Sequence, residues 1–132
     1  MIALDSSALI AVATKEPDWE IFRDMLVTMD CLVGAPTLLE THMVLSSFKP
    51  LDPTIFLQTI RNLPNLDVVA FDHRHLDQAC LAFDRYGKGR NAASSLNYGD
   101  CLAYAVAKVA GIPLLFKGHD FHATDIQPAI AP

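Results

Sequence analysis

Residues 1–15, "MIALDSSALIAVATK", read as a strand, an acid and a helix in immediate succession. The run "MIAL" is apolar and stops at Asp5. Ser6 and Ser7 then offer an N-cap for the apolar helix "ALIAVATK". Further down the chain, "CLVGAP" (31–36) reads as a buried strand closed by Gly34, with Pro36 opening the helix "TLLETHMVLSSF" (37–48). "LDVVAF" (66–71) is a third strand and "IPLLF" (112–116) a fourth. Between them, "HRHLDQACLAFDRYG" (73–87) predicts an amphipathic helix with Leu76, Ala79, Cys80 and Phe83 on its apolar side and Gly87 as its stop. A helix opening at Pro17, with Asp18 and Glu20 in its first turn, carries the stripe Ile21, Phe22, Met25, Leu26 and Met29. Another starts at Asp52-Pro53 and runs through "TIFLQTIRNL" (54–63). Short apolar strands alternating with helices predict an α/β fold, with helices on both faces of a parallel sheet. In such sheets chemistry gathers beyond the carboxyl ends of the strands. Asp5 stands at that end of the first strand, and Asp120 comes shortly after the last.

At 132 residues the chain reads as a single domain, 1–132, with no repeat, linker or low-complexity tract. Its apolar content of 52% and mean hydropathy of +0.26 are high for a small chain, which predicts that some apolar surface meets a partner or a second copy. The longest apolar runs fall well short of the roughly 18 residues needed to span a bilayer, and no basic segment precedes the apolar start, so no membrane span or signal peptide is expected. Cys31, Cys80 and Cys101 lack CxxC spacing and read as reduced core thiols of a cytoplasmic protein. The net charge of -5 argues weakly against a nucleic-acid partner, yet "RYGKGR" (85–90) concentrates Arg85, Lys88 and Arg90 in one loop.

The helix within "LNYGDCLAYAVAK" (96–108) is nearly all apolar and opens on an acid, Asp100. Two readings compete. Asn97 and Asp100 have capping-box spacing, so the acid could simply satisfy free amides; it could also bind a metal, since a capped carboxylate keeps a second oxygen free. Asp5 poses the same choice between cap and ligand. Glu40 lies on a helix with apolar residues nearly all round, where a carboxylate is costly unless paired or coordinated. Asp120 and Asp125 lie in the polar turn "KGHDFHATDI" (117–126). His42, His119 and His122 make no zinc spacing, and neither a GxSxG serine nor a glycine-rich phosphate loop is present. Carboxylates converging without such ligands select a hard cation, magnesium or manganese, and the matching reaction is phosphodiester hydrolysis. A phosphotransfer domain of the haloacid-dehalogenase type needs a second Asp two residues after the first; Ser7 stands there.

The order Asp5, Glu40, Asp100, Asp120 resembles the PIN-domain nucleases, along "MIALDSSALIAV", "PTLLETHMVL", "YGKGRNAASSLNYGDCLAYAVAK" and "PLLFKGHDFHATDI". The last two segments resemble in particular the VapC-type toxins of toxin–antitoxin pairs. The resemblance implies a three-layer α/β/α fold around a short, mainly parallel sheet of four or five strands. It also implies a magnesium-dependent endoribonuclease, with manganese able to substitute, dimeric and held by a cognate antitoxin. Its substrate would be RNA, tRNA among the candidates. Asp5 and Asp100 would be the principal metal ligands, and Glu40 would bind the ion or position the attacking water. Asp120 would complete the pocket, with Asp125 as the alternative fourth acid, because Phe116 and Gly118 stand where many relatives carry a Thr and an acid or Asn. Arg85, Lys88, Arg90 and Lys117 are the candidate phosphate contacts. A catalytically inactive binding module of the same fold is the competing expectation.

Overall fold

A computed structural model of the chain describes residues 1–131. Among them, β1 (Ile2–Leu4), β2 (Cys31–Gly34), β3 (Leu66–Val69) and β4 (Leu114–Leu115) pair in parallel in the order β3-β2-β1-β4. The helices are α1 (Ser6–Thr14), α2 (Trp19–Thr28), α3 (Ala35–Leu45), α4 (Pro53–Arg61), α5 (His73–Tyr86) and α6 (Tyr98–Ala110). Side-chain alternation along β1 divides the core in two. Ile2 and Leu4 enter one cluster with Leu9, Phe22, Leu26, Leu38 and Ile60. Ala3, between them, enters the other with Ala103, Tyr104, Leu114 and Phe121. A parallel sheet covered on both faces needs strands that are apolar throughout, which is why "MIAL" shows no alternation in its sequence. The result is the three-layer α/β/α arrangement. Each fully buried leucine, such as Leu4 or Leu115, contributes roughly 2 kcal/mol by leaving water.

Two elements differ from the sequence reading. α2 begins at Trp19 rather than Pro17; Asp18 adopts a left-handed conformation, φ 67°, and makes no side-chain cap. On α5 three residues of the expected apolar side, Leu76, Cys80 and Phe83, are exposed; the fourth, Ala79, packs on the core beside the fully buried Ala82. Small residues let α5 approach α6 closely, and the larger ones are left to line a groove with Tyr98, Cys101 and Leu102. Cys80 is therefore not a core thiol. Cys31 and Cys101 are buried, and burial pushes both thiols up to about 11. No helix among the described residues is long and apolar enough to cross a membrane.

The connection pattern positions the site. From β1 the chain steps outward through β2 to β3, then returns to place β4 on the other side of β1. The strand order thus reverses between β1 and β4, and in parallel sheets the ground beyond the carboxyl ends at such a reversal is where sites form.

Candidate active site

Asp5 follows β1 directly, at that reversal, and caps α1. Its Oδ2 accepts from the Ser7 N–H at 3.0 Å and the Ser7 hydroxyl at 2.5 Å. The Ser7 hydroxyl oxygen in turn accepts from the Lys117 N–H, just past β4, at 3.0 Å. The residue is 3% exposed, and its Oδ1 is buried with no hydrogen-bond partner among the described residues. Burial pushes the carboxyl up to about 6 against the opposing pull of Ser7, and Glu40 adds to the rise.

Asp100, at the third position of α6, exchanges hydrogen bonds with Asn97: the Asp100 N–H donates to Asn97 Oδ1 at 2.9 Å, and the Asn97 N–H donates to Asp100 Oδ2 at 3.0 Å. The capping box is real and uses one carboxylate oxygen. Burial pushes this carboxyl up to about 7; the Asn97 amide opposes, while Asp5, Asp120 and Glu40 raise it further. Asp5 and Asp100 thus combine a helix-capping duty with a charge held at a cost.

Glu40 reaches from α3 into the first turn of α6. A Cβ on Gly99 would stand 1.8 Å from Glu40 Oε2, so the carboxylate occupies the space that glycine leaves open. Glu40 Oε1 is buried and unpartnered among the described residues. Asp120, exposed in the turn after β4, accepts from the Ser95 hydroxyl at 3.3 Å and is near enough to act on Asp100. Asp125 goes elsewhere. It accepts from the Tyr104 hydroxyl at 2.7 Å and from Lys108 at 2.8 Å, toward the far end of α6. Partial burial works against its ionisation, yet those two donors win, and it titrates below the usual carboxylate range. Already paired with a lysine, it is a poor candidate for the fourth acid.

The basic candidates divide. Arg85 and Lys88 are exposed in the segment leading to Ser95. Arg90 pairs with Asp84 at 3.4 Å and lies over the Phe83 ring at 4.8 Å. The Lys117 ammonium bonds the Pro17 carbonyl and sits 3.5 Å from the Glu16 carboxylate. Ser7, Ser95 and Gly99 were not read as site residues from the sequence. The pair Ser6-Ser7 after Asp5 suggested a cap only, and Gly99 before Asp100 gave no signal until Glu40 was seen against it.

Among the described residues no three His, Cys, Asp or Glu side chains form a set that could hold a metal ion. The acids share a neighbourhood, without closing into a cage. Their chemistry nevertheless suits a hard divalent cation. All the donors are carboxylates, and Asp5 Oδ1 and Glu40 Oε1 are buried oxygens with no other use.

Comparison with known proteins agrees with the fold. The model of the PIN domain matches residues 2–127, and the chain belongs to the PIN-domain family. Within that family it is 42% identical over 130 residues to Ribonuclease VapC of Mycolicibacterium smegmatis, covering 95% of this chain and 97% of that protein. Among solved structures, the Mycobacterium tuberculosis toxin VapC20, which cleaves the sarcin-ricin loop, superposes with a TM-score of 0.77 at 17% identity, covering 96% of each chain. A toxin–antitoxin complex from Klebsiella pneumoniae gives 0.69 at 12% identity, covering 95% of this chain and 93% of that one. At such identities these two structures speak for the fold alone.

Proposed function

We propose that this chain is a magnesium-dependent endoribonuclease, the toxin of a toxin–antitoxin pair, using Asp5, Glu40, Asp100 and Asp120. The observation that carries the reading is the pair of buried carboxyls, Asp5 just past β1 and Asp100 in the first turn of α6, close enough for Asp5 to raise Asp100 and pushed up to about 6 and about 7. Uncompensated buried charge is expensive, and chains retain it where a ligand supplies the countercharge. The relative named Ribonuclease VapC supports the activity, and the antitoxin partner is what the resemblance to VapC-type toxins implies.

Asp5 and Asp100 would hold the cation, with Glu40 and Asp120 beside them. Bound there, a divalent ion supplies a nucleophilic water at neutral pH and countercharge for the phosphate oxygens. Ser7 fixes Oδ2 of Asp5, and Oδ1, without a hydrogen-bond partner among the described residues, would be the oxygen offered to the cation. Asn97 fixes Asp100 in the same way. Glu40, whose Oε1 is buried without a hydrogen-bond partner among the described residues, would orient the attacking water and take its proton. Arg85, Lys88 and Arg90 follow the RNA backbone away from the cut. Lys117, engaged with Glu16 and Pro17, contributes through its backbone. Self-association would cover the rim of α3, α5 and α6, where Leu39, Met43, Leu76 and Tyr98 are exposed; light scattering measures it.

Purified chain incubated with RNA should cut it with magnesium or manganese and stop on chelation. Asp5→Asn and Asp100→Asn should each abolish cutting with the fold intact, and full activity in either would refute the assignment. A second reading, an inert binding module of the same fold, draws on the lack of a ready-made ligand set among the described residues. RNA bound but left uncut with either metal would select it.

A further inference from the structure

We propose that the pocket beside β4 holds a nucleobase of the RNA strand whose phosphate lies at the acids, an inference that rests on the ribonuclease reading. The register pairs Leu4 with Leu115, and the Asp5 N–H donates to the Leu115 carbonyl at 3.0 Å. Asp5 and Phe116 therefore leave neighbouring strands side by side. Next to them opens a pocket of about 420 Å³ lined by Phe22, Phe116, Phe121 and His122, with Asp18 and Lys117 at its margin. That volume falls in the range of small-molecule sites.

Its wall is a string of rings running from core to solvent. Phe121 is buried and lies 4.9 Å, centroid to centroid, from Phe116. Phe116 is half-buried and lies 6.1 Å from His122. His122 is exposed, and His119, exposed and outside the lining, meets it at 4.9 Å and nearly perpendicular. Packing of the core does not require the last two rings. A flat aromatic group is what such a wall receives, and proteins hold unpaired RNA bases by stacking them on Phe and His side chains.

Rigidity and charge point the same way. The Lys117 N–H donates to the Ser7 hydroxyl that also bonds Asp5 Oδ2, so the strand end carrying Phe116 and the first acid are braced by one group. The Lys117 ammonium is engaged by Glu16 and Pro17 and lies 5.9 Å from the centre of the Phe22 ring, so the rings left for a ligand are those of Phe116 and His122 rather than Phe22. A base seated there would fix which phosphate of the strand reaches Asp5.

The test compares fluorescein-labelled oligoadenylate with the abasic ribose-phosphate chain of the same length, by anisotropy, in chelator so that nothing is cut. Repulsion from the acids acts on both probes and drops out of the ratio. The wild type should bind the base-bearing strand about 5- to 100-fold more tightly. Phe116→Leu and the surface change His122→Ala should each shrink that ratio and leave abasic affinity unchanged. Equal affinity for both probes, or an undiminished ratio in both variants, overturns the pocket. A parallel cleavage assay with magnesium separates the two claims. Base-dependent binding without cutting overturns the nuclease and keeps the pocket; cutting without base dependence does the reverse.

Discussion

Asp100 serves two ends with one carboxyl group, and the conflict between them has a measurable consequence. One oxygen closes the capping box with Asn97, while the group as a whole is pushed up to about 7 by burial and by Asp5, Asp120 and Glu40. Asp5 is pushed up to about 6. Between about pH 4 and 7 the folded chain therefore holds protons that the unfolded chain has released. Stability of the metal-free protein must fall as the pH rises through that window. Asp100→Asn removes the strain: near pH 8 in chelator it should be more stable than the wild type by roughly 2 kcal/mol, the gap closing toward pH 4. Thermal melts across pH measure this, and a gap that widens on acidification would be the wrong sign. The sequence showed the capping signal at Asn97 and the oddity of an acid on an apolar helix. Neither Asp5 Oδ1 lacking a partner among the described residues nor Asp125 turning to Lys108 could be read from it, because both depend on contacts between distant segments.

Where α3 meets the first turn of α6, one glycine decides the geometry. Gly99→Ala would put a methyl 1.8 Å from Glu40 Oε2, and the carboxylate, being the end of a flexible chain, would swing away rather than unfold the helix. Cleavage should fall by about 10- to 100-fold, as displacements near 1 Å commonly cost, with the melting temperature little changed. Unaltered cleavage would remove Glu40 from the chemistry. The caps at Asp52 and Asn97 were readable, since caps are local, while at α1 the cap is Asp5 and the helix begins at Ser6, the residue read with Ser7 as its cap. The start of α2 was not: Pro17 looks like a first helical residue, but its carbonyl is held by Lys117, a contact with the chain beyond β4. The outward face of α5 was missed for a similar reason. Periodicity finds an apolar stripe, but which stripe is buried depends on how closely the neighbouring helix packs, and Ala79 and Ala82 win that place.

For the molecule as a whole, the order β3-β2-β1-β4 turns separate acids into neighbours. The alternation of strands and helices predicts a parallel sheet, while the placing of β4 beside β1 comes only from the assembled core. Resemblance to the PIN-domain nucleases supplied the link that local pattern could not, and the family match over residues 2–127 bears out that link for the fold. The high apolar content leaves large side chains exposed. Leu39 at 60%, Met43 at 64% and Tyr98 at 82% exposed lie along one rim, a surface a partner would cover. The central claim remains that the acids gather to share a divalent cation, and calorimetric titration of manganese into the metal-free protein near neutral pH tests it most directly. Saturable binding with release of protons is predicted, weakened at least about tenfold in Asp5→Asn and in Asp100→Asn. No binding by the wild type, or equal binding by both variants, would contradict it.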